Sequence, residues 1–298
     1  MKVKCNLCHS RRVQIIYPAT ASKRADRQAS YACTNAGHGE YYQLVRCREC
    51  GLYYSSPRPA AANLEGGYAE LTDDLYMQEL SGRILTFRRN LANLSGYKKK
   101  GDLLDVGCSV GVFLNEARKK GYSVGGVEPS LWCVKQAEKR FGLKIHSGTD
   151  REIKRFGRQF DVVTLWDVLE HVDNPLATLK RCRQVLKPGG ILAFSTVDIG
   201  SHYARLMGKR WPWLMKMHIY YFDKNTIKEY LKKADLSLID IKKYHHTVSF
   251  NYLIYKLEKI SPWLYWLTKL LKRTILLNKN IYLTFGLGDF MEVYAQKL

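Results

Sequence analysis

No uninterrupted apolar run of about 18 residues occurs in the 298-residue chain, so no membrane-spanning helix is expected. The first residues lack the basic, apolar and small-residue succession of a secretory leader. The chain is therefore read as cytoplasmic, and its eight cysteines as thiols or metal ligands rather than disulfides. No internal repeat and no low-complexity tract is present, which excludes solenoids and propellers. Acidic residues are few: 27 Asp and Glu stand against 48 Lys and Arg, for a net charge of +21. No polybasic tail carries this excess; it is spread along the chain. A diffuse positive field attracts an anion, whether nucleic acid, an acidic lipid headgroup or a phosphate-bearing small molecule. A basic surface with no dedicated partner is the alternative. At this length the chain holds one large domain and a small appendage.

What the chain does contain is a strand-to-helix turn suited to a ligand. Residues 103–114 read Leu-Leu-Asp-Val-Gly-Cys-Ser-Val-Gly-Val-Phe-Leu, and Glu128 closes a second apolar run over 122–127. A dinucleotide site reads Gly-x-Gly-x-x-Gly and sets a pyrophosphate on a helix N-terminus. Here Ser109 replaces the middle glycine, Gly111 follows, and Asp105 stands two residues before Gly107. A carboxylate there repels a pyrophosphate and suits a cation. S-adenosylmethionine carries an ammonium and a sulfonium and no phosphate. Glu128, 21 residues after Gly107, occupies the position from which a carboxylate grips both ribose hydroxyls. Taken singly, the glycines serve any tight turn and Glu128 is an ordinary carboxylate before Pro129. Their order and spacing join them.

With these residues the chain resembles the class I S-adenosylmethionine-dependent methyltransferases. Phe160-Asp-Val-Val-Thr-Leu-Trp-Asp-Val-Leu-Glu-His-Val172 is similar to their fourth strand and its functional tip. Asn174-Pro175 opens the next helix, and Leu186-Lys-Pro-Gly-Gly190 resembles the turn into their fifth strand. The resemblance runs in order from about residue 70 to 298. It implies an α/β fold with a Rossmann-like seven-stranded sheet whose last strand is reversed. It also implies that Asp105, Gly107, Cys108, Gly111, Glu128, Asp150 and Asp167 surround the cofactor, with Asp150 accepting from the adenine amino group.

A second motif lies at the N-terminus. Cys5-Asn-Leu-Cys8 and Cys47-Arg-Glu-Cys50 form two C-x2-C pairs, which together give a tetrahedral sulfur cage for Zn2+. The 38 intervening residues imply an insertion, and within it Cys33 and His38 are alternative ligands. Two disulfides are the competing reading. With four thiolates no coordination position stays open, so the metal is structural. The segment 47–59 resembles the zinc-binding leader of a bacterial methyltransferase subgroup that includes sugar C-methyltransferases. Residues 1–60 are accordingly read as a zinc-ribbon leader closed by Pro57 and Pro59, and 61–298 as the methyltransferase domain.

Asp73-Asp74 predicts the cap of a helix running to about Leu94, with apolar residues at helical spacing. In related methyltransferases such a helix covers the cofactor; Tyr76, Arg83 and Arg88 are the polar candidates, with a solvated face expected for at least two of them. Strands are predicted near 102–106, 122–127, 143–146, 160–166, 190–197, 237–243 and 289–297. Between the last two lies an insertion at about 250–287, with Leu253, Leu257, Ile260, Leu264 and Leu267 at helical spacing and Trp263, Trp266 and Tyr265 among Lys269, Lys272 and Arg273. A helical cap is preferred for it, and peripheral contact with the inner face of the membrane is the other reading.

Methyl transfer is an in-line displacement that asks for alignment and removal of a proton. Glu170 and His171, at the carboxyl end of the fourth strand, and His218, in the aromatic segment 211–223, are the catalytic candidates; Tyr220 and Tyr221 are candidates to bond an acceptor hydroxyl. A structural role for His171 at a helix start is the alternative. The expected function is methylation of a small molecule, a sugar, glycan or lipid-linked precursor, with a phosphate-bearing acceptor among the options. Two other classes remain. One is an RNA or DNA methyltransferase, although the Asn-Pro-Pro-Tyr or Asp-Pro-Pro-Tyr signature is absent and the strand tip reads Trp166-Asp-Val-Leu. The other is a non-catalytic cofactor-binding scaffold.

Overall fold

The computed structural model describes residues 2–21, 39–60, 66–69, 72–260, 266 and 281–298. The leader supplies three short antiparallel strands, β1 (Val13–Tyr17), β2 (Leu44–Cys47) and β3 (Tyr53–Ser55). Helices α1 (Asp74–Gln78) and α2 (Leu80–Leu94) follow. Asp73 caps α1 as its position predicts, its Oδ1 accepting the Tyr76 amide at 2.9 Å. The single helix expected through Leu94 is interrupted at Glu79. That carboxylate is turned onto Ser249, accepting its hydroxyl at 2.5 Å and its amide at 3.1 Å.

Strands and helices then alternate: β4 (Asp102–Val106), α3 (Val112–Lys119), β5 (Ser123–Glu128), α4 (Leu131–Phe141), β6 (His146–Ser147), β7 (Phe160–Trp166), α5 (Pro175–Val185) and β8 (Leu186–Val197). The chain continues through α6 (His202–Met207), β9 (Tyr220–Tyr221), α7 (Lys224–Lys233), β10 (Ser237–Lys243), β11 (His246–Ser249), α8 (Phe250–Ile260), β12 (Tyr282–Phe285) and β13 (Phe290–Gln296). Seven strands form the main sheet in the order β10-β13-β8-β7-β4-β5-β6. β4 to β8 pair in parallel, while β13 is antiparallel to both its neighbours. This is the expected α/β sheet with its reversed last strand. The chain leaves β4 outward to β5 and β6, then returns to β7 on the other side. That switch opens a crevice over the carboxyl ends of β4 and β7.

Several strand assignments differ from expectation: β6 lies at His146–Ser147 rather than 143–146, and β9 and β11 were not anticipated. β8 begins at Leu186, earlier than predicted, because Leu186 already pairs with Phe160 before the register shifts. β12 was not expected: within the segment read as helical, Tyr282–Phe285 pairs with Ser249–His246. Among the described residues α8 is helical as predicted. Trp266 is exposed, and Trp263, Tyr265, Lys269, Lys272 and Arg273 lie outside the described residues, as do Cys33 and His38. Among the described residues no helix is long and apolar enough to cross a membrane.

The leader does not stand apart. β9, from the main body, completes its sheet in the order β1-β2-β3-β9, with Tyr53 opposite Tyr221 and Tyr54 opposite Tyr220. Buried Leu7, Val45 and Tyr54 share one apolar cluster with Leu165, Ile219 and Tyr230. The segment carrying His218 is thus stitched to the leader just before β9.

Candidate active site

β4 ends in a turn that only small residues allow. Gly107 and Gly111 both take left-handed backbone, at φ 73° and 77°. A Cβ on Gly107 would lie 2.7 Å from Val168 Cγ2, and one on Gly111 2.8 Å from Leu143 Cδ1. Gly111 therefore serves helix packing behind the wall and does not line the cavity, contrary to its expected role. Ser109 donates its amide to Glu128 Oε2 at 2.8 Å, and Ser130 donates to Oε1 at 3.0 Å. The end of β5 is thereby locked to the turn after β4.

Asp105 is buried on β4, beside Thr164 of β7, whose hydroxyl donates to Asp105 Oδ1 at 2.6 Å. Burial pushes Asp105 up to about 8, against the pull of Thr164, and Glu128 up to about 7, against its two amides. Such buried acids suit a ligand that brings hydroxyl groups or a cation, because a cation beside them favours their ionised form. Cys108 is buried with its sulfur against Gly126, where any Cβ would come within 2.7 Å. Its thiol belongs to the core, and it contributes wall rather than a polar contact. Asp150 Oδ2 accepts from Thr178 at 2.8 Å and from Arg181 at 2.5 Å.

At the tip of β7, Asp167 sits in left-handed backbone at φ 56°. Its amide donates to Ser195 Oγ at 2.9 Å, and that hydroxyl donates to Asp167 Oδ1 at 2.5 Å. Glu170 is fully buried; its Oε2 accepts from Thr196 at 2.9 Å. Burial first, then Asp167, raises Glu170 to about 8. His171 Nδ1 lies 2.9 Å from the Met217 carbonyl and 2.8 Å from the Tyr68 hydroxyl. Desolvation holds His171 down at about 4, and burial with the neighbouring His171 drives His218 well below the imidazole range. The two rings are 4.8 Å apart, centroid to centroid.

Aromatic residues complete this end. Trp213 stacks between His218, at 6.3 Å and 20°, and His246, at 5.9 Å and 27°. Phe290 meets the edge of Trp213 at 4.7 Å. One cavity of about 640 Å³ joins the two ends, from Asp105 and Glu128 through Asp167 to His171 and His218. That volume falls in the range of small-molecule sites.

Of the expected site residues, the structure brings Asp105, Gly107, Cys108, Glu128, Asp150, Asp167, Glu170, His171 and His218 to this cavity. Of the leading-helix candidates, Tyr76 and Arg83 line it, stacked at 3.8 Å. Arg88 points elsewhere, half-exposed and paired with Glu116 at 2.7 Å. Tyr220 and Tyr221 are a correction: neither lines the cavity. As β9 they pair with the leader, Tyr220 donating to the Asp173 carbonyl at 3.0 Å and Tyr221 to the Met215 carbonyl at 3.4 Å. The sequence reading missed Tyr68, Tyr244, His246 and Asp289. Nothing local marks them, since each reaches the cavity through contacts distant in the chain.

In the leader, Cys5 and Cys50 sulfurs lie 3.4 Å apart, as do those of Cys8 and Cys47, and all four fall within 4.8 Å. The two turns carry left-handed residues, His9 at φ 61° and Gly51 at φ 77°. Four converging thiols of this kind fit a tetrahedral metal.

Residues 76–241 match the family described as "Methyltransferase domain". A ubiquinone biosynthesis O-methyltransferase of Cereibacter sphaeroides is 32% identical over 152 residues, covering 47% of this chain and 62% of that one. Another of that name, from Nitrosococcus oceani, is 33% identical over 142 residues, covering 42% and 58%. The chain thus spans less than two thirds of the length of these curated relatives. It is also similar in structure to an S-adenosylmethionine-dependent methyltransferase, possible histamine N-methyltransferase, from Thermotoga maritima, at 18% identity and TM-score 0.49 over 76% of this chain and 94% of that one.

Proposed function

Because the chain belongs to the methyltransferase-domain family, we propose that it moves a methyl group from S-adenosylmethionine to a hydroxyl oxygen of a small, largely apolar acceptor. The carrying observation is the single cavity with two chemically distinct ends: the buried acids Asp105 and Glu128 at one, the Glu170, His171 and His218 group under Trp213 at the other. The relatives' printed name, an O-methyltransferase, supports transfer to oxygen. The aromatic wall of Trp213, Tyr244 and Phe290 favours a flat, apolar acceptor over the sugar or glycan anticipated from sequence. A cavity of about 640 Å³ also suits a small molecule better than a nucleic acid strand.

When bound, S-adenosylmethionine supplies an electrophilic methyl on a sulfonium. Glu128 would take the ribose hydroxyls, Asp105 and the Gly107 turn the amino-acid end, and Asp150 the adenine amino group. The aromatic wall would hold the acceptor oxygen for in-line displacement at that methyl, with S-adenosylhomocysteine as the leaving group. Burial keeps His171 and His218 uncharged near neutral pH, so each can accept a hydrogen bond from the acceptor hydroxyl, whose proton finally leaves to solvent. Burial, with Asp167 nearby, favours the uncharged form of Glu170 while the site is empty. Cys5, Cys8, Cys47 and Cys50 would hold a structural Zn2+.

Calorimetric titration with S-adenosylhomocysteine tests the cofactor end. Micromolar binding that Glu128→Ala weakens strongly, with no response to NAD, is the expected result. A folded protein that ignores S-adenosylhomocysteine overturns the enzyme reading. Release of S-adenosylhomocysteine against a panel of hydroxylated aromatic and sugar acceptors then tests the acceptor class.

A further inference from the structure

Glu170, His171 and His218 do more than line the acceptor end. Each offers one candidate ligand atom, and these atoms all lie within 4.8 Å of one another. His171 and His218 each place Nδ1 at 2.9 Å from a backbone carbonyl, of Met217 and Trp213 respectively. Such a bond puts the ring proton on Nδ1 and leaves Nε2 with its lone pair. Metal-bound histidines are fixed in the same way by the groups behind them. The Tyr68 hydroxyl, 2.8 Å from the same His171 nitrogen, shares that N–H.

The carboxylate gives a second, independent sign. Glu170 is fully buried, and Thr196 satisfies Oε2, but Oε1 has no hydrogen-bond partner among the described residues. An orphaned oxygen in a buried carboxyl is costly unless something occupies its open side. The three residues come from two separate segments, the tip of β7 and the loop before β9, so helical spacing alone did not bring them together.

We propose that Glu170, His171 and His218 bind one divalent transition-metal ion at the acceptor end of the cavity, separate from any metal on the four cysteines. Two imidazoles and one carboxylate select an ion such as Zn2+, Co2+ or Mn2+ over Mg2+, which prefers oxygen ligands. Three protein ligands leave positions open to solvent or to an acceptor oxygen. Metal binding stands independently of the methyl-transfer reading. With the metal bound, His171 and His218 are its ligands and no longer meet the acceptor proton; a hydroxyl bound to the metal would lose its proton more readily, to solvent, and only this consequence rests on that reading.

The test is Co2+ titration of the metal-stripped full-length protein, read by absorption and by metal content. Thiolate charge transfer reports the cysteines; an equivalent that binds without it reports the proposed centre. The expected result is one such equivalent in the wild type. It should weaken by more than about tenfold in Glu170→Gln and in His218→Ala, while S-adenosylhomocysteine affinity, measured on the same samples, shows that both variants fold. The proposal is overturned if every Co2+ bound by the wild type carries the thiolate signature. It is equally overturned if the second equivalent survives in both variants, which marks it as adventitious. Loss of S-adenosylhomocysteine binding with the Co2+ equivalent intact would sink the enzyme reading and leave the metal centre standing.

Discussion

Asp289 accepts the indole N–H of Trp213 at 2.8 Å, and the same oxygen accepts that of Trp211 at 3.1 Å. One buried carboxylate, just before β13, thus fixes the ring that lies between His218 and His246. Asp289→Ala should leave two indole N–H groups without their acceptor and destabilise the protein by about 3 kcal/mol. Trp213 would be free to tilt, so KM for the acceptor should rise while S-adenosylhomocysteine affinity stays within about twofold. Thermal melts with calorimetry check this; an unchanged acceptor KM in a folded variant would mean that Trp213 does not contact the acceptor.

Gly107 faces a different constraint. Its φ of 73° and the 2.7 Å approach of Val168 to any Cβ leave no room for alanine. Gly107→Ala should cost about 1–3 kcal/mol in stability and weaken S-adenosylhomocysteine binding by at least tenfold. Adding Val168→Ala removes the collision but not the backbone strain, so it should restore only part of either loss. Full restoration by the double variant would show that sterics alone, and not the left-handed turn, makes glycine necessary.

These residues also show where the sequence was readable. Asp105, Gly107 and Glu128 belong to consecutive strand ends, so their spacing along the chain mirrors their spacing in the crevice. β7 fell at its predicted bounds because a buried parallel strand is a continuous apolar run. Tyr220 and Tyr221 were misread because their partners, Tyr54 and Tyr53, lie over 160 residues earlier in another sheet. β12 was read as helix because leucines at near-helical spacing precede it, whereas its conformation is set by pairing with β11. Glu79 broke a periodic helix for the sake of Ser249, 170 residues away. Local pattern carried the cofactor end and marked Glu170, His171 and His218; the rest of the acceptor end, Tyr68, Tyr244, His246 and Asp289, was assembled from long-range contacts that no local pattern records.

The buried acids make a pH prediction. Asp105 rises from an ordinary 3.8 to about 8 and Glu128 from 4.5 to about 7 in the ligand-free fold. A folded-state pKa above the unfolded value means that the native state holds its protons longer. Stability from this source is complete below about pH 4 and is lost as pH climbs towards 8. Ligand-free melting temperature should therefore carry a downward slope across that window, and Glu128→Gln should flatten it. A ligand ammonium near Asp105 favours the ionised form, so S-adenosylhomocysteine binding at pH 7 should release protons. Titrations in buffers of different ionisation enthalpy measure that release; proton uptake would contradict the assignment of Asp105 to the cationic end.

The last prediction concerns the leader. Ser55 donates its amide to the Ile219 carbonyl at 2.9 Å, one residue from His218, and β3 pairs with β9 directly after it. Arg58 adds a buried link, donating to Asp173 at 2.8 Å and to the Tyr220 hydroxyl at 3.1 Å. If the four cysteines hold a metal, their turns would anchor the backbone that presents His218 to the cavity. Cys8→Ser should loosen that backbone, since structural metal binding and local folding are coupled. A displacement of about 1 Å at His218 is enough to reduce acceptor turnover about 100-fold. The cofactor end is fixed by β4 and β5, on the far side of the switch, so S-adenosylhomocysteine should bind Cys8→Ser within about threefold of the wild type. Equal losses at both ends would show that the leader supports the whole fold; turnover unchanged in a zinc-free variant would show that it supports neither.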